Sequence, residues 1–175
     1  MFITAFAHRD CPRAIVSRLK VVRVRFLTLD GDVEHGWIVI DRRLEADVVD
    51  VFELAFRLRY PIHSVVPINV YDWDDELSMS ANNSSGFNYR FIAGTTELSF
   101  HAYGMAIDIN PMWNPMVLRG RMYPACGIQN PQHPGTLTAD HPIVLRFKEL
   151  GWTWGGDWEE PFDPHHFQKD LRAAI

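Results

Sequence analysis

Residues 21–28, VVRVRFLT, alternate apolar and charged positions, the period of a strand with one face in a core. LDGDVEHG follows and supplies Asp30–Gly31, a turn dipeptide. GWIVI at 36–40 reads as the return strand, so the pattern predicts a hairpin. From Arg42 to Leu58 the period changes. Leu44, Val48, Val51, Phe52, Ala55, Phe56 and Leu58 recur at helical spacing, and Pro61 ends the helix. IHSVVPINVY (62–71) predicts another strand, with Pro67 marking an edge or a bulge. YDWDDELSMSANNSSGFN then runs polar and irregular. An apolar strand is predicted around 105–109, and the proline-rich stretch 110–142 reads as one long ordered loop, a kind of segment that is usually functional. Ile143–Leu150 predicts a short helix opened near Asp140, and GWTWGGDW and DPHHF close the chain as short strands with a turn between. Hairpins and helices without regular βαβ units predict the α+β class: a small, mainly antiparallel sheet with flanking helices.

Composition narrows the partners. The chain has 175 residues, 47% hydrophobic and 13% aromatic, which fits one globular domain spanning 1–175 and excludes disorder. Its N-terminal hairpin and helix occupy about 20–60, and its motif-bearing core about 80–170. The formal charge is -5, and RRLEADVV mixes both signs, so no basic face for nucleic acid is expected. No stretch approaches the roughly 20 apolar residues of a membrane span. MFITAFAHRDCPRAIV is interrupted by Arg9 and Asp10 and does not read as a secretory signal. Cys11 and Cys126 lack CxxC spacing, so a disulfide scaffold or thiolate zinc site is not expected, and a bridge between them is allowed but not implied. A monomer is expected.

Candidate chemistry centres on SFHAYGMAIDIN, Ser99–Asn110. Asp108 stands between Ile107 and Ile109 in a segment that favours burial, and a buried carboxylate needs a partner or a metal. His101 lies seven residues earlier, an odd separation that puts the two on opposite faces of a straight strand. They converge only if the chain bends, and Gly104 permits a bend. Near the C-terminus, DPHHF supplies Asp163, His165 and His166. Two neutral imidazoles and one carboxylate suit zinc with an open position for water. Spacing alone does not choose between His165 and His166, although adjacent strand residues face opposite sides, so both should not ligate one ion. Asp163 is the candidate base for the water.

SFHAYGMAIDIN resembles the S-x-H-x-x-G-x-A-x-D-I pattern of zinc DD-peptidases that cut bacterial cell-wall peptides. These are the VanY-like D-Ala-D-Ala carboxypeptidases and the related L-alanyl-D-glutamate endopeptidases, phage endolysins among them. GWTWGGDW with DPHHF resembles their W-G-G-x-W and acid-x-x-H-F signature, and SGFNYR resembles the segment bearing their arginine. The resemblance covers roughly 80–170. It implies the hedgehog/DD-peptidase-like fold and one zinc ion on His101, Asp108 and His166. Asp163 would be the general base, Arg90 the group on the substrate carbonyl or its oxyanion, and Ser99 a hydrogen-bonding support. The implied reaction is hydrolysis of peptidoglycan stem peptides. The aspartate base and the W-G-G-x-W segment lean toward the endopeptidase-like branch. Such a substrate implies action in the periplasm, outside the cell, or by phage-type release. The rivals are an inactive zinc- or wall-peptide-binding module of the same fold, and a zinc hydrolase for a non-wall D-amino-acid dipeptide.

Asn110 and Asn114 bracket a proline-tryptophan stretch and read as turn residues beside the site, with Asn110 a candidate substrate contact. Trp152, Trp154 and Trp158 suit either core packing or a groove for glycan or peptide, and Trp154 is the candidate contact. DGDVEHG reads as a hairpin turn rather than a calcium loop. YDWDDE reads as a solvated acidic loop, with the rim of the cleft as the alternative, NNSS as the shaper of the loop leading to Arg90, and His63, His133 and His141 as scattered polar residues.

Overall fold

Val22, Val24 and Phe26 turn inward from β1 (Leu19–Leu27) while Arg23 and Arg25 turn out, as the alternation requires. β1 pairs antiparallel with β2 (Val33–Asp41), with Arg23 opposite Trp37. This is the expected hairpin, and Gly31 takes the left-handed conformation in its turn. The structure is a computed structural model that describes residues 10–172. The first nine residues of the N-terminal stretch weighed above as a leader lie outside the described residues. A four-residue helix, α1 (Arg13–Val16), precedes the hairpin.

A single 3-10 turn, Arg42–Leu44, leads into α2 (Glu45–Arg57), which buries Val48, Val51, Phe52 and Ala55 against the hairpin. Phe56 lies at the margin and Leu58 is exposed, so the buried stripe is narrower than the predicted one.

The strand predicted over 62–71 is not present. The chain touches the hairpin at two points, Ile62 N–H on Leu27 O and Trp37 N–H on Val65 O, then coils into a 3-10 turn at Ile68–Tyr71. Pro61 and Pro67 lack donors for a continuous ladder, and the buried Ile62, Val65 and Ile68 recur every three residues rather than every two. The polar stretch that follows contains a helix, α3 (Asp75–Ser80), capped by Asp74, whose carboxylate accepts from Leu77 N–H at 2.9 Å.

The central sheet is built from β3 (Ala106–Asp108), β6 (Thr153–Trp154) and β7 (His166–Gln168), in the order β3-β7-β6. The long loop is interrupted by a small hairpin, β4 (Met116–Leu118) and β5 (Arg121–Tyr123), turning on Arg119 and Gly120. Asn114 staples the remainder. Its amide donates to the carbonyls of Ile109, Asn110 and Gly135 and accepts from Leu137 N–H at 2.6 Å. The last helix, α4 (Pro142–Glu149), is capped by His141 rather than by Asp140. Phe147 from α4 stacks on Phe167 from β7 at 4.1 Å, both fully buried, and this joins the sheet to the core formed by the hairpin and α2. Cys11 and Cys126 are both free. Among the described residues no helix is long and apolar enough to cross a membrane. The α+β expectation therefore holds.

Asp41, at the end of β2, ties this core to the segment that carries His101. Its N–H donates to Gly104 O at 2.8 Å, and its buried carboxylate accepts two side-chain bonds from Arg43. Burial alone pushes the carboxyl up, but the hydrogen bonds and charge of Arg43 outweigh it and hold Asp41 below the ordinary carboxylate range. A depressed folded-state pKa contributes stability above the unfolded value and loses it as pH falls through the folded one. Asp41→Asn is predicted to destabilise by about 1–3 kcal/mol at pH 7, with the deficit shrinking below pH about 4. Urea unfolding of both proteins at pH 7 and pH 3 checks this.

Candidate metal centre

The antiparallel register sets Asp108 directly opposite His166. Directly opposed residues in such a pair share a face, with Cβ atoms about 5 Å apart. Ile107 and Phe167, the neighbouring pair, take the other face and are wholly buried. On its other edge Asp108 exchanges both backbone bonds with Ser85. The carboxylate is therefore fixed by strands on both sides.

His101 arrives by the bend that its spacing demands. It lies on a 3-10 turn, Phe100–Tyr103, opened by Ser99, whose hydroxyl accepts from His101 N–H at 3.3 Å. Gly104 closes the turn at φ +66, and a Cβ there would stand 2.7 Å from Asp41 N. Both the conformation and the close approach require glycine.

The three side chains meet. His101 Nε2 is 3.1 Å from His166 Nδ1 and 3.2 Å from Asp108 Oδ1, and His166 Nδ1 is 3.0 Å from the same oxygen. Among the described residues these form a group of ligand atoms all within 4.8 Å of one another, and each residue is buried. The outer nitrogens fix the tautomers. His101 Nδ1 donates to Gly86 O at 2.6 Å, and His166 Nε2 donates to Gln168 Oε1 at 3.0 Å. In the neutral rings the two inner nitrogens then carry bare lone pairs aimed at one another and at a carboxylate. Such a cluster lacks a positive centre, and a cation satisfies all three atoms at once. The sides of the triangle approach the ligand–ligand edge of about 3.3 Å expected for donors 2.0–2.1 Å from a tetrahedral ion. Orienting partners on the outer nitrogens are the usual supports of metal-binding histidines. The donor set therefore fits zinc.

The electrostatics agree. Burial opposes a charge on His101, but the Asp108 carboxylate outweighs it and raises the imidazole above its ordinary value, with Arg90 opposing. Burial pushes the Asp108 carboxyl up. The charges of His101 and His165, with hydrogen bonds from His101 and His166, reverse this and hold it well below the carboxylate range.

Asp163 stands at the start of the turn into β7, its N–H on Gly155 O at 3.0 Å and its carbonyl accepting from His166 N–H. Gly155 permits this contact, since a Cβ there would lie 2.4 Å from Asp163 O. His165 falls outside the ligand group. Its Nδ1 donates to Asn114 O at 2.8 Å, and its Nε2 lies 3.1 Å from Asp163 Oδ1 and 4.0 Å from Asp108 Oδ1. It thus stands between the two carboxylates, a position the sequence left open.

Arg90 lies close enough to His101 for its charge to be felt there, and its Nη2 pairs with Asp75 at 2.8 Å. Its Nε is buried with no partner. Asp75, read in the sequence as part of a solvated loop, is therefore a neighbour of the site. The two expected substrate contacts, Asn110 and Trp154, are both buried. Asn110 is completely buried, its amide donating to Pro61 O and Tyr60 Oη and accepting from His63 N–H. Its polar atoms are used inside the protein. Trp154 is 3% exposed and donates to Pro164 O at 2.8 Å, holding the turn that carries Asp163. Trp158 is the indole at the site, 5.5 Å from the His166 ring. The roles of Gln168 and Asp75 were missed, and that of His165 was left open. Of these, Gln168 was legible, because i and i+2 on a strand share a face.

Residues 93–169 match the family model described as D-alanyl-D-alanine carboxypeptidase. Over these residues the chain is similar to that family. The match spans His101, Asp108, Asp163 and His166, so the matched segment and the geometric cluster coincide. No curated protein and no solved structure matches the chain. Arg90 precedes the matched segment.

Gln168→Leu is predicted to weaken zinc binding about 10–100-fold, the usual effect of losing a partner to a metal-binding histidine. Competition with a chromophoric chelator checks this, with unchanged thermal unfolding of the metal-free variant as the control.

Proposed function

We propose that the protein is a zinc-dependent peptidase that hydrolyses peptide bonds in the stem peptides of bacterial peptidoglycan. The observation that carries this reading is the buried triangle of bare donor atoms on His101, Asp108 and His166, with a carboxylate, Asp163, at the head of the same strand turn. Zinc held by those three residues would polarise a carbonyl and lower the pKa of water toward about 7.

The chain's own groups do the rest. Asp163 takes the proton of the attacking water and returns it to the leaving amine, one carboxylate serving both halves of the reaction. Arg90, whose side chain is partly exposed, brings its charge to the oxygen on which negative charge develops. Asp108, an anionic ligand, moderates the charge of the centre. His165 and the Asn114 carbonyl behind it limit where the Asp163 carboxylate can swing.

The bond cut is read as an internal one. A carboxypeptidase needs a cation for the terminal carboxylate of its substrate. Arg90 is the guanidinium beside His101, and it is already paired with Asp75. This supports an endopeptidase that acts between residues flanked on both sides.

Asp163→Asn keeps the shape of the side chain and removes its basicity. It is predicted to retain zinc and to lose about 10²–10⁴ in kcat. The check is release of new amino groups from purified cell wall, alongside metal content by atomic emission. Loss of zinc in the variant contradicts the base assignment. Zinc bound by the unaltered protein with no hydrolysis of wall peptides favours a binding module instead.

A further inference from the structure

Beside the turn that carries Asp163 lies a cavity of about 480 Å³. Trp113, Leu137, Trp154, Phe162 and Pro164 give it apolar walls, and Gln129, Asn130 and Thr138 stand exposed at its mouth. No lining residue is charged. Phe162 and Pro164 flank Asp163 in sequence, and Asn114, whose carbonyl anchors His165, contributes to the floor. The cavity thus opens against Phe162 and Pro164, the two residues on either side of the candidate base. Its far wall comes from the proline-rich loop, fixed there by the Asn114 amide.

We propose that this cavity is a glycan subsite that holds the N-acetylated, lactyl-bearing amino sugar to which a stem peptide is attached. The inference rests on the peptidase reading above and deepens it. The pieces of such a substrate differ in chemistry, and the cavity discriminates among them. The free carboxylates and amines of the stem peptide would be desolvated here without a counter-charge. An alanine methyl group leaves most of the space empty. The acetylated sugar is neutral and large enough for a pocket on the scale of about 300–1,000 Å³ that suits small ligands. It has an apolar ring face for indole and phenyl walls, and its amide and hydroxyl groups match the neutral polar side chains at the mouth. A sugar seated beside Asp163 places the bond cut near the sugar-linked end of the peptide.

The test compares two substrates for the zinc-loaded protein: a stem peptide carrying N-acetylmuramic acid, and the same peptide with a plain acetyl group in place of the sugar. The expected result is a preference of at least tenfold in kcat/KM for the sugar-linked form, carried mainly by KM. Ala139→Trp, which places an indole at the exposed mouth, is expected to bring that ratio close to one. Equal rates on both substrates by the unaltered protein overturn the subsite and leave the peptidase reading standing. Failure to cut either overturns the peptidase reading. The subsite is then decided by saturation-transfer NMR with N-acetylmuramyl-L-alanine. Transfer to the acetyl and lactyl methyl protons that Ala139→Trp abolishes supports it, and no transfer overturns it.

Discussion

One register holds the site together: Asp108 opposite His166 in the β3–β7 pair. Side chains along a strand change face at every residue, so a slip of one position would turn the carboxylate or the imidazole into the core and bring Ile107 or Phe167 into the site. The register is set by those same apolar neighbours. Phe167 stacks on Phe147, and both are inaccessible to water. Truncating a phenylalanine in such a place costs about 3–5 kcal/mol. The core fixes the strands, and the strands fix the chemistry.

The N-terminal half serves the same end. β2 lends Asp41 to the Gly104 bend, and Val39 O receives Phe87 N–H, so the hairpin edge supports both the turn of His101 and the segment whose Gly86 carbonyl orients that ring. A Cβ on Gly86 would stand 2.3 Å from Val39 O, which is why this stretch carries glycine. The proline-rich loop, fixed by the fully used amides of Asn110 and Asn114, supplies the other flank. Each of the two flanks thus rests on buried hydrogen bonds, which favour a single arrangement of a polar interior.

Much of this was legible in the sequence, and the failures have physical causes. The hairpin and α2 follow from apolar period, because one face of each meets a continuous core. The 62–71 segment misled because its β-branched residues suit a strand while its two prolines deny it a ladder. α3 was hidden by polarity, although Asp74 three residues before Leu77 is a capping signal. The β4–β5 hairpin is short, and its turn uses Arg119 in the left-handed region, where sequence offers only the following glycine as a hint. In the site, the odd spacing of His101 and Asp108 correctly demanded a bend at Gly104. The sequence did not show that the Asn110 amide and the Trp154 indole N–H are spent on partners inside the protein, because type and position do not reveal where a polar atom is used. The partners of Arg90 and His165 come from distant segments, and no local pattern announces them.

The central claim is that His101, Asp108 and His166 hold one divalent cation and leave a corner open to water. A crystal structure of the zinc-loaded protein with an anomalous difference map at the zinc edge tests it most directly. The account predicts one strong peak within bonding distance of His101 Nε2, Asp108 and His166 Nδ1, with no fourth protein ligand. A peak elsewhere, or a fourth protein side chain closing the coordination sphere, would contradict it.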